Sequence, residues 1–204
     1  MTLEARSLGL WRGERCLCRD LSFRLAEGGI LQFVGPNGSG KTSLMRAVAG
    51  VGRLDEGELL WNGKPANRSD EYRAKLQYLG HHTGLKSHLS PTENYVFYQS
   101  IAECSSEIGA EDALSRCGVT EPADRPVATL SMGQRRRAAL ARLLAAKAKL
   151  WLLDEPLTSL DADGVGLVSE LLKSHVAGGG MAILATHQPL PGIEAQRLEL
   201  GGRA

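Results

Sequence analysis

The sequence predicts a single α/β domain over residues 1–204, with a mostly helical insertion at about 90–130. Three features predict it. Short apolar runs alternate with helix-like stretches in the first and last thirds, and that strand pattern fades in the middle third. A chain of 204 residues is also long enough for one hydrophobic core with a lobe attached.

The elements follow in order. Ile30-Leu31-Gln32-Phe33-Val34 is an apolar run that stops at Gly35, as expected of a buried parallel strand feeding a loop. A helix over 43–49 follows and ends at Gly50. Glu58-Leu59-Leu60-Trp61 runs into Asn62-Gly63, a two-residue hairpin signal. Ser90-Pro91-Thr92-Glu93 joins a capping hydroxyl, a proline at the first helical position and a glutamate three residues on, so a helix starts there. Gly109, Gly118 and Pro122 break the helical stretches that follow. A helix over 131–146, an apolar strand at 150–153, a helix at about 165–175 and a strand at 181–185 complete the βα alternation.

Composition excludes several classes. The 24 Lys+Arg nearly balance 23 Asp+Glu, a net charge of +1, which gives no reason to expect a nucleic-acid partner. No stretch approaches the ~18 apolar residues of a membrane span, and the N-terminus lacks the pattern of a signal peptide. Cys16, Cys18, Cys104 and Cys117 form no Cys-x-x-Cys pair, which suits a reducing compartment. The expectation is a cytosolic protein.

Three motifs carry chemistry. Gly35-Pro36-Asn37-Gly38-Ser39-Gly40-Lys41-Thr42, followed by Ser43, lies between a strand and a helix and fits a phosphate-binding loop. Its glycines let backbone N–H groups curl around phosphates, Lys41 reaches the β- and γ-phosphates, and the Thr42 hydroxyl is a Mg2+ ligand. Leu150-Trp151-Leu152-Leu153-Asp154-Glu155 is a buried strand that delivers two carboxylates to its C-terminal end. Asp154 there holds Mg2+, and Glu155 orients or deprotonates an attacking water. Ser131-Met132-Gly133-Gln134 reads first as a capping box. It is also a second helix N-terminus suited to an anion, and one nucleotide cannot easily occupy both unless two molecules face each other.

In this order and spacing, Gly35 to Thr42, Leu130 to Gln134, Asp154-Glu155, Ser159-Leu160-Asp161 and His187 resemble an ATP-binding-cassette (ABC) ATPase, over essentially the whole chain. The resemblance implies a P-loop NTPase core with an N-terminal antiparallel β subdomain and an inserted α-helical subdomain. It implies ATP and Mg2+ as ligands and a head-to-tail homodimer with two ATPs between the subunits. Ser131, Met132, Gly133 and Gln134 of one subunit would touch the ATP held by Lys41 of the other. Glu155 becomes the general base, His187 the switch residue at the γ-phosphate, and Asp161 part of the loop that communicates across the dimer. Trp11, thirty residues before Lys41, takes the adenine-stacking role, with Arg12 competing for the position. His81 stands in the switch loop where the family usually has Gln.

That departure, with Tyr78-Leu79-Gly80-His81, Leu89-Ser90-Pro91-Thr92-Glu93-Asn94 and the run over 180–188, is similar to the cytochrome c maturation branch of the family, named for haem export. The branch implies membrane subunits CcmB, CcmC and CcmD, peripheral attachment at the cytoplasmic face of the bacterial inner membrane, and ATP-driven release of the haem-loaded chaperone CcmE. His81, His82 and His88 read as switch-loop and surface residues rather than haem ligands. Two rivals remain: a soluble phosphotransferase sharing only the phosphate loop, which would not need Ser131 or Gly133, and a cassette acting on DNA or ribosomes. The second expects coiled-coil insertions or a second cassette, for which 204 residues leave little room. Arg135, Arg136 and Arg137 read as a solvated or phosphate-facing surface.

Overall fold

A computed structural model describes residues 1–66, 69–121 and 123–201; the break assigned to Pro122 lies outside the described residues. Two sheets form its frame. β1 (Thr2–Arg12), β2 (Arg15–Ala26), β4 (Glu56–Trp61) and β5 (Lys64–Pro65) make an antiparallel sheet in the order β2-β1-β4-β5. β3 (Ile30–Val34), β6 (Leu76–Leu79), β7 (Leu150–Asp154), β8 (Met181–Ala185) and β9 (Gln196–Glu199) make a parallel sheet in the order β6-β7-β8-β3-β9. The helices are α1 (Lys41–Val48), α2 (Asp70–Ala74), α3 (Pro91–Ile101), α4 (Ala110–Arg116), α5 (Met132–Ala141) and α6 (Ala162–Ala177).

Alternation along the buried strands divides the core in two. Leu150 and Leu152 of β7, with Met181, Ile183 and Ala185 of β8, pack toward α1 and the antiparallel sheet. Trp151, Leu153, Ala182 and Leu184 point the other way, against residues of α4, α5 and α6. Side chains on successive residues of a strand face opposite sides, so an all-apolar run is what a strand covered on both faces requires.

Local signals place several elements where expected. Asn62 (φ 51°) and Gly63 (φ 78°) both take the left-handed conformation of the tight hairpin joining β4 to β5. Ser90 caps α3, accepting the Glu93 N–H at 3.1 Å while Glu93 accepts the Ser90 N–H at 2.8 Å. Other boundaries move. The helix expected over 131–146 ends at Ala141 and tightens into a 3-10 turn, Arg142–Ala145, a common helix ending. α6 begins at Ala162, three residues early, because the Asp161 carboxylate caps it by accepting the Gly164 N–H at 2.9 Å. The mostly exposed edge strand β9 was not anticipated.

A buried tryptophan and a partly buried histidine tie the sheet to α6. The His175 ring stacks on Trp151 with centroids 3.9 Å apart and planes 7° from parallel, and its Nε2 lies 3.1 Å from the Met181 carbonyl oxygen. Burial pushes the imidazole down from the ordinary 6.5 to about 4. Below pH 6.5 the unfolded chain therefore takes up a proton that the folded chain refuses, and stability is lost as pH falls toward 4. At 1.36 kcal/mol per pKa unit, the group removes about 3 kcal/mol across that window. In denaturant titrations at pH 7 and pH 4, His175→Phe should lose less stability on acidification than the unmodified protein, by about that amount; equal losses would contradict the assignment.

Candidate active site

The phosphate loop is shaped by what its backbone must avoid. β3 ends at Val34, and the chain turns through Gly35 (φ 149°) and Gly40 (φ 99°) before α1 begins at Lys41. A side chain at Gly35 would collide with the Leu200 carbonyl oxygen, and one at Gly40 would come within 2.9 Å of Leu17 Cβ. Lys41 is only 8% exposed and donates to the carbonyls of Gly35 at 2.8 Å and Pro36 at 3.0 Å. Ser39 Oγ is buried with no partner among the described residues. Beside the loop lies a cavity of about 380 Å³, lined by Arg12, Arg15, Asn37, Gly38, Lys41, Thr42, Ser43 and Glu155 among others. A helix N-terminus, a lysine and two arginines give it a positive field suited to a polyphosphate.

The carboxylates sit where β7 ends. Asp154 is 1% exposed; its Oδ1 accepts the Thr42 hydroxyl at 3.2 Å, and its Oδ2 has no partner among the described residues. Burial raises its pKa, partly offset by the Thr42 hydrogen bond. An orphaned buried carboxylate oxygen next to a threonine hydroxyl fits a hard divalent cation. Among the described residues no group of three His, Cys, Asp or Glu side chains is placed to hold a metal, so phosphate and water oxygens would complete the shell.

Glu155 follows in the left-handed region (φ 48°), its N–H donating to the Ala185 carbonyl at 2.8 Å. Its side chain lines the cavity, and His187 Nδ1, just beyond β8, lies 3.5 Å from its Oε1. The geometry thus gathers Lys41, Thr42, Asp154, Glu155 and His187 at one sheet edge.

Ser131, Met132, Gly133 and Gln134 are elsewhere. The capping box forms, Ser131 Oγ accepting the Gln134 N–H at 3.2 Å and Gln134 Oε1 accepting the Ser131 N–H at 2.9 Å. Met132 is 69% exposed. With His81, His82, Thr158 and Ser159 it lines a separate cavity of about 260 Å³. A side chain at Gly133 would stand 3.2 Å from the Ser159 carbonyl oxygen. Asp161 pairs with Arg137 at 2.8 Å, and the Gly164 N–H and Arg137 together hold its carboxyl below the usual carboxylate range. His81 is exposed, its ring edge-on to His82 at 5.6 Å.

Trp11 does not line the phosphate-loop cavity: its ring lies over Gly9, where a Cβ would collide with it and come within 2.9 Å of Glu56 Cβ. Arg12 reaches the cavity instead, with its cross-strand neighbour Arg15, whose Nη2 donates to the Gly38 carbonyl at 3.2 Å. Successive strand residues face opposite sides, so only one of Trp11 and Arg12 can do so. Nor is the arginine run a solvated surface. Arg135 donates to the Leu130 and Ala128 carbonyls, and Arg137 pairs with Asp161. Arg136 is buried against the backbone of residues 154–156 and Gly80. Arg15 was missed, and Arg136 was read as surface although it is buried. For Arg136 the helical phase offered a signal, since Leu140 and Leu143 follow four and seven residues on.

Known proteins resemble the chain over most of its length. The ABC transporter family matches residues 18–158. The cytochrome c biogenesis ATP-binding export protein CcmA of Yersinia pestis is 46% identical over 192 residues, 94% of this chain and 88% of the relative. The protein of the same name from Aliivibrio fischeri is 42% identical over 202 residues, 98% of this chain and 99% of the relative. Among solved structures, a Pyrococcus furiosus protein assigned as an ABC transporter ATP-binding protein superposes with a TM-score of 0.85 at 23% identity, covering 98% of both chains. The ATP-binding cassette MJ0796, in a dimeric post-hydrolysis state bound to ADP and Pi, gives 0.77 at 22% identity, covering 91% of this chain and 88% of that one.

The placement of Arg12 yields a ranking. Arg12→Ala should weaken binding of a fluorescent ATP analogue about tenfold, as loss of a charge-assisted contact does. Trp11→Ala should change it less than about twofold. The reverse order in an equilibrium titration would contradict the placement.

Proposed function

Because this chain belongs to the ABC transporter family and is an ABC-type ATPase, we propose that it is the ATP-hydrolysing subunit of a membrane complex for cytochrome c maturation. The observation that carries the finer part is 42–46% identity, over nearly the whole chain, to proteins named for that process. On this reading the cassette attaches peripherally at the cytoplasmic face of the bacterial inner membrane, to subunits like CcmB, CcmC and CcmD. Hydrolysis then drives release of haem-loaded CcmE. Among the described residues no helix is long and apolar enough to cross a membrane, in keeping with membrane segments supplied by other chains.

The catalytic reading uses the residues at the sheet edge. Lys41 and the N–H groups that open α1 hold the β- and γ-phosphates in the cavity. Thr42 and Asp154 would hold Mg2+, which supplies charge neutralisation across those phosphates. Glu155 accepts a proton from water as the water oxygen bonds to the γ-phosphorus. The bond to the ADP oxygen breaks, leaving ADP and phosphate. On this reading His187 orients that carboxylate and meets the γ-phosphate, a role supported by its distance of 3.5 Å from Glu155.

A second copy completes the site. The Ser131 helix start, with Met132 and Gly133 exposed or half-exposed, does not line this chain's own phosphate-loop cavity. Its free face suits the phosphates of a nucleotide held by the partner. Gln134 and Asp161 then fix the loops that meet across the interface, and His81, at the rim of the Met132 cavity, is the switch-loop residue.

Glu155→Gln should retain ATP binding while turnover falls about 100-fold or more, the usual contribution of a general base. It should also accumulate an ATP-dependent dimer in size-exclusion chromatography. Near-normal steady-state hydrolysis would sink the assignment. For the finer reading, the tagged chain isolated from detergent-solubilised membranes should bring CcmB- and CcmC-like proteins with it; recovery of an unrelated permease alone would reassign the complex.

A further inference from the structure

Arg136 is a buried cation whose neighbours are carbonyl oxygens. It is 4% exposed, and while Arg137 beside it pairs with Asp161, Arg136 spends its donors on main chain. Nε donates to the Pro156 carbonyl at 3.1 Å and Nη1 to that of Gly80 at 3.0 Å. Nη2 donates to the carbonyls of Asp154 at 3.2 Å and Glu155 at 2.6 Å. Burial lowers the guanidinium to about 10, so it remains charged at neutral pH. Burying such a group costs stability unless its donors are met, and a core that needed only filling would be served by an apolar side chain. A planar fork that reaches three successive carbonyls does something else: it fixes a backbone path.

That path needs fixing. Glu155 carries a β-carbon yet has φ 48°, a conformation disfavoured for such residues. Its N–H is held by the Ala185 carbonyl and its own carbonyl by Arg136, so both peptide groups that flank its Cα are pinned. The fourth acceptor, Gly80, directly precedes His81, and Arg136 itself stands in the helix that Ser131 opens.

We infer that Arg136 is a positioning residue for hydrolysis: it keeps the Glu155 carboxylate turned into the phosphate-loop cavity and ties it to the Gly80–His81 turn and the Ser131 helix. The inference rests on Glu155 being the base. In the homodimer, Ser131 meets one nucleotide and Glu155 the other, so this one guanidinium spans the protein between the two sites.

The test compares the purified full chain with Arg136→Gln, Arg136→Lys and Glu155→Gln, measuring kcat, the equilibrium Kd for ATP, and Tm. Arg136→Gln cannot span the carbonyls, and kcat should fall about 100-fold, the cost of an ångström-scale misplacement. Kd should stay within about threefold, because the phosphate loop is untouched. Arg136→Lys keeps the charge without the fork and should fall about tenfold in kcat at similar Kd; it carries the test alone if the glutamine variant does not fold. A kcat within about twofold of the unmodified protein would overturn the inference. So would kcat and Kd worsening together in step with Tm, which is what general destabilisation gives. Glu155→Gln turning over at the unmodified rate would remove the premise itself, so one assay separates the two failures.

Discussion

Strands β7, β8 and β3 lie side by side and parallel, so their C-terminal ends must share one edge of the sheet. The chemistry of the molecule depends on that constraint. β3 feeds the phosphate loop, β7 delivers Asp154 and Glu155, and the chain leaving β8 delivers His187. Leu31, Ile183 and Leu152 stand in one row across the three strands and pack into the same core. A one-residue slip of β7 would turn Trp151 and Leu153 into that core and carry Asp154 away from Thr42. Hydrophobic packing therefore sets the register, and the register sets where the carboxylates stand.

The edge concentrates features that a stability-driven design would avoid. Among the described residues Asp154 is buried with an unpaired oxygen, Glu155 holds a left-handed backbone, and Ser39 carries an orphaned hydroxyl. Each costs stability, and each faces the cavity or lies beside it. Buried orphans and backbone strain gathered at one place mark a site that a ligand completes. The surrounding fold tolerates them because both faces of the parallel sheet are covered by apolar side chains.

What could be read from sequence was what local geometry determines. The phosphate loop is specified by glycines that only a close turn requires, and the capping boxes at Ser90 and Ser131 by residues three apart. The buried strands announced themselves by unbroken apolar runs. Side-chain direction in the N-terminal sheet was harder. β1 shifts register against β2 between Leu8 and Leu10 and again between Leu10 and Trp11, so a count of thirty residues back from Lys41 does not say which of Trp11 and Arg12 faces the phosphate loop. Arg136 was misread for a different reason: charge suggested solvent, whereas its acceptors are carbonyls 19, 20 and 56 residues away in sequence.

Within one chain the Ser131 helix start and the phosphate-loop cavity are separate, and the proposed nucleotide site takes its two halves from different copies. Mixing two inactive variants tests this most directly. Lys41→Ala spoils only the phosphate-loop half and Gly133→Asp only the helix-start half, and a mixed dimer contains one site with both halves intact. If two copies share each site, the mixture hydrolyses ATP although neither variant does so alone. A mixture as inactive as its components, with mixed dimers shown to form, would contradict it.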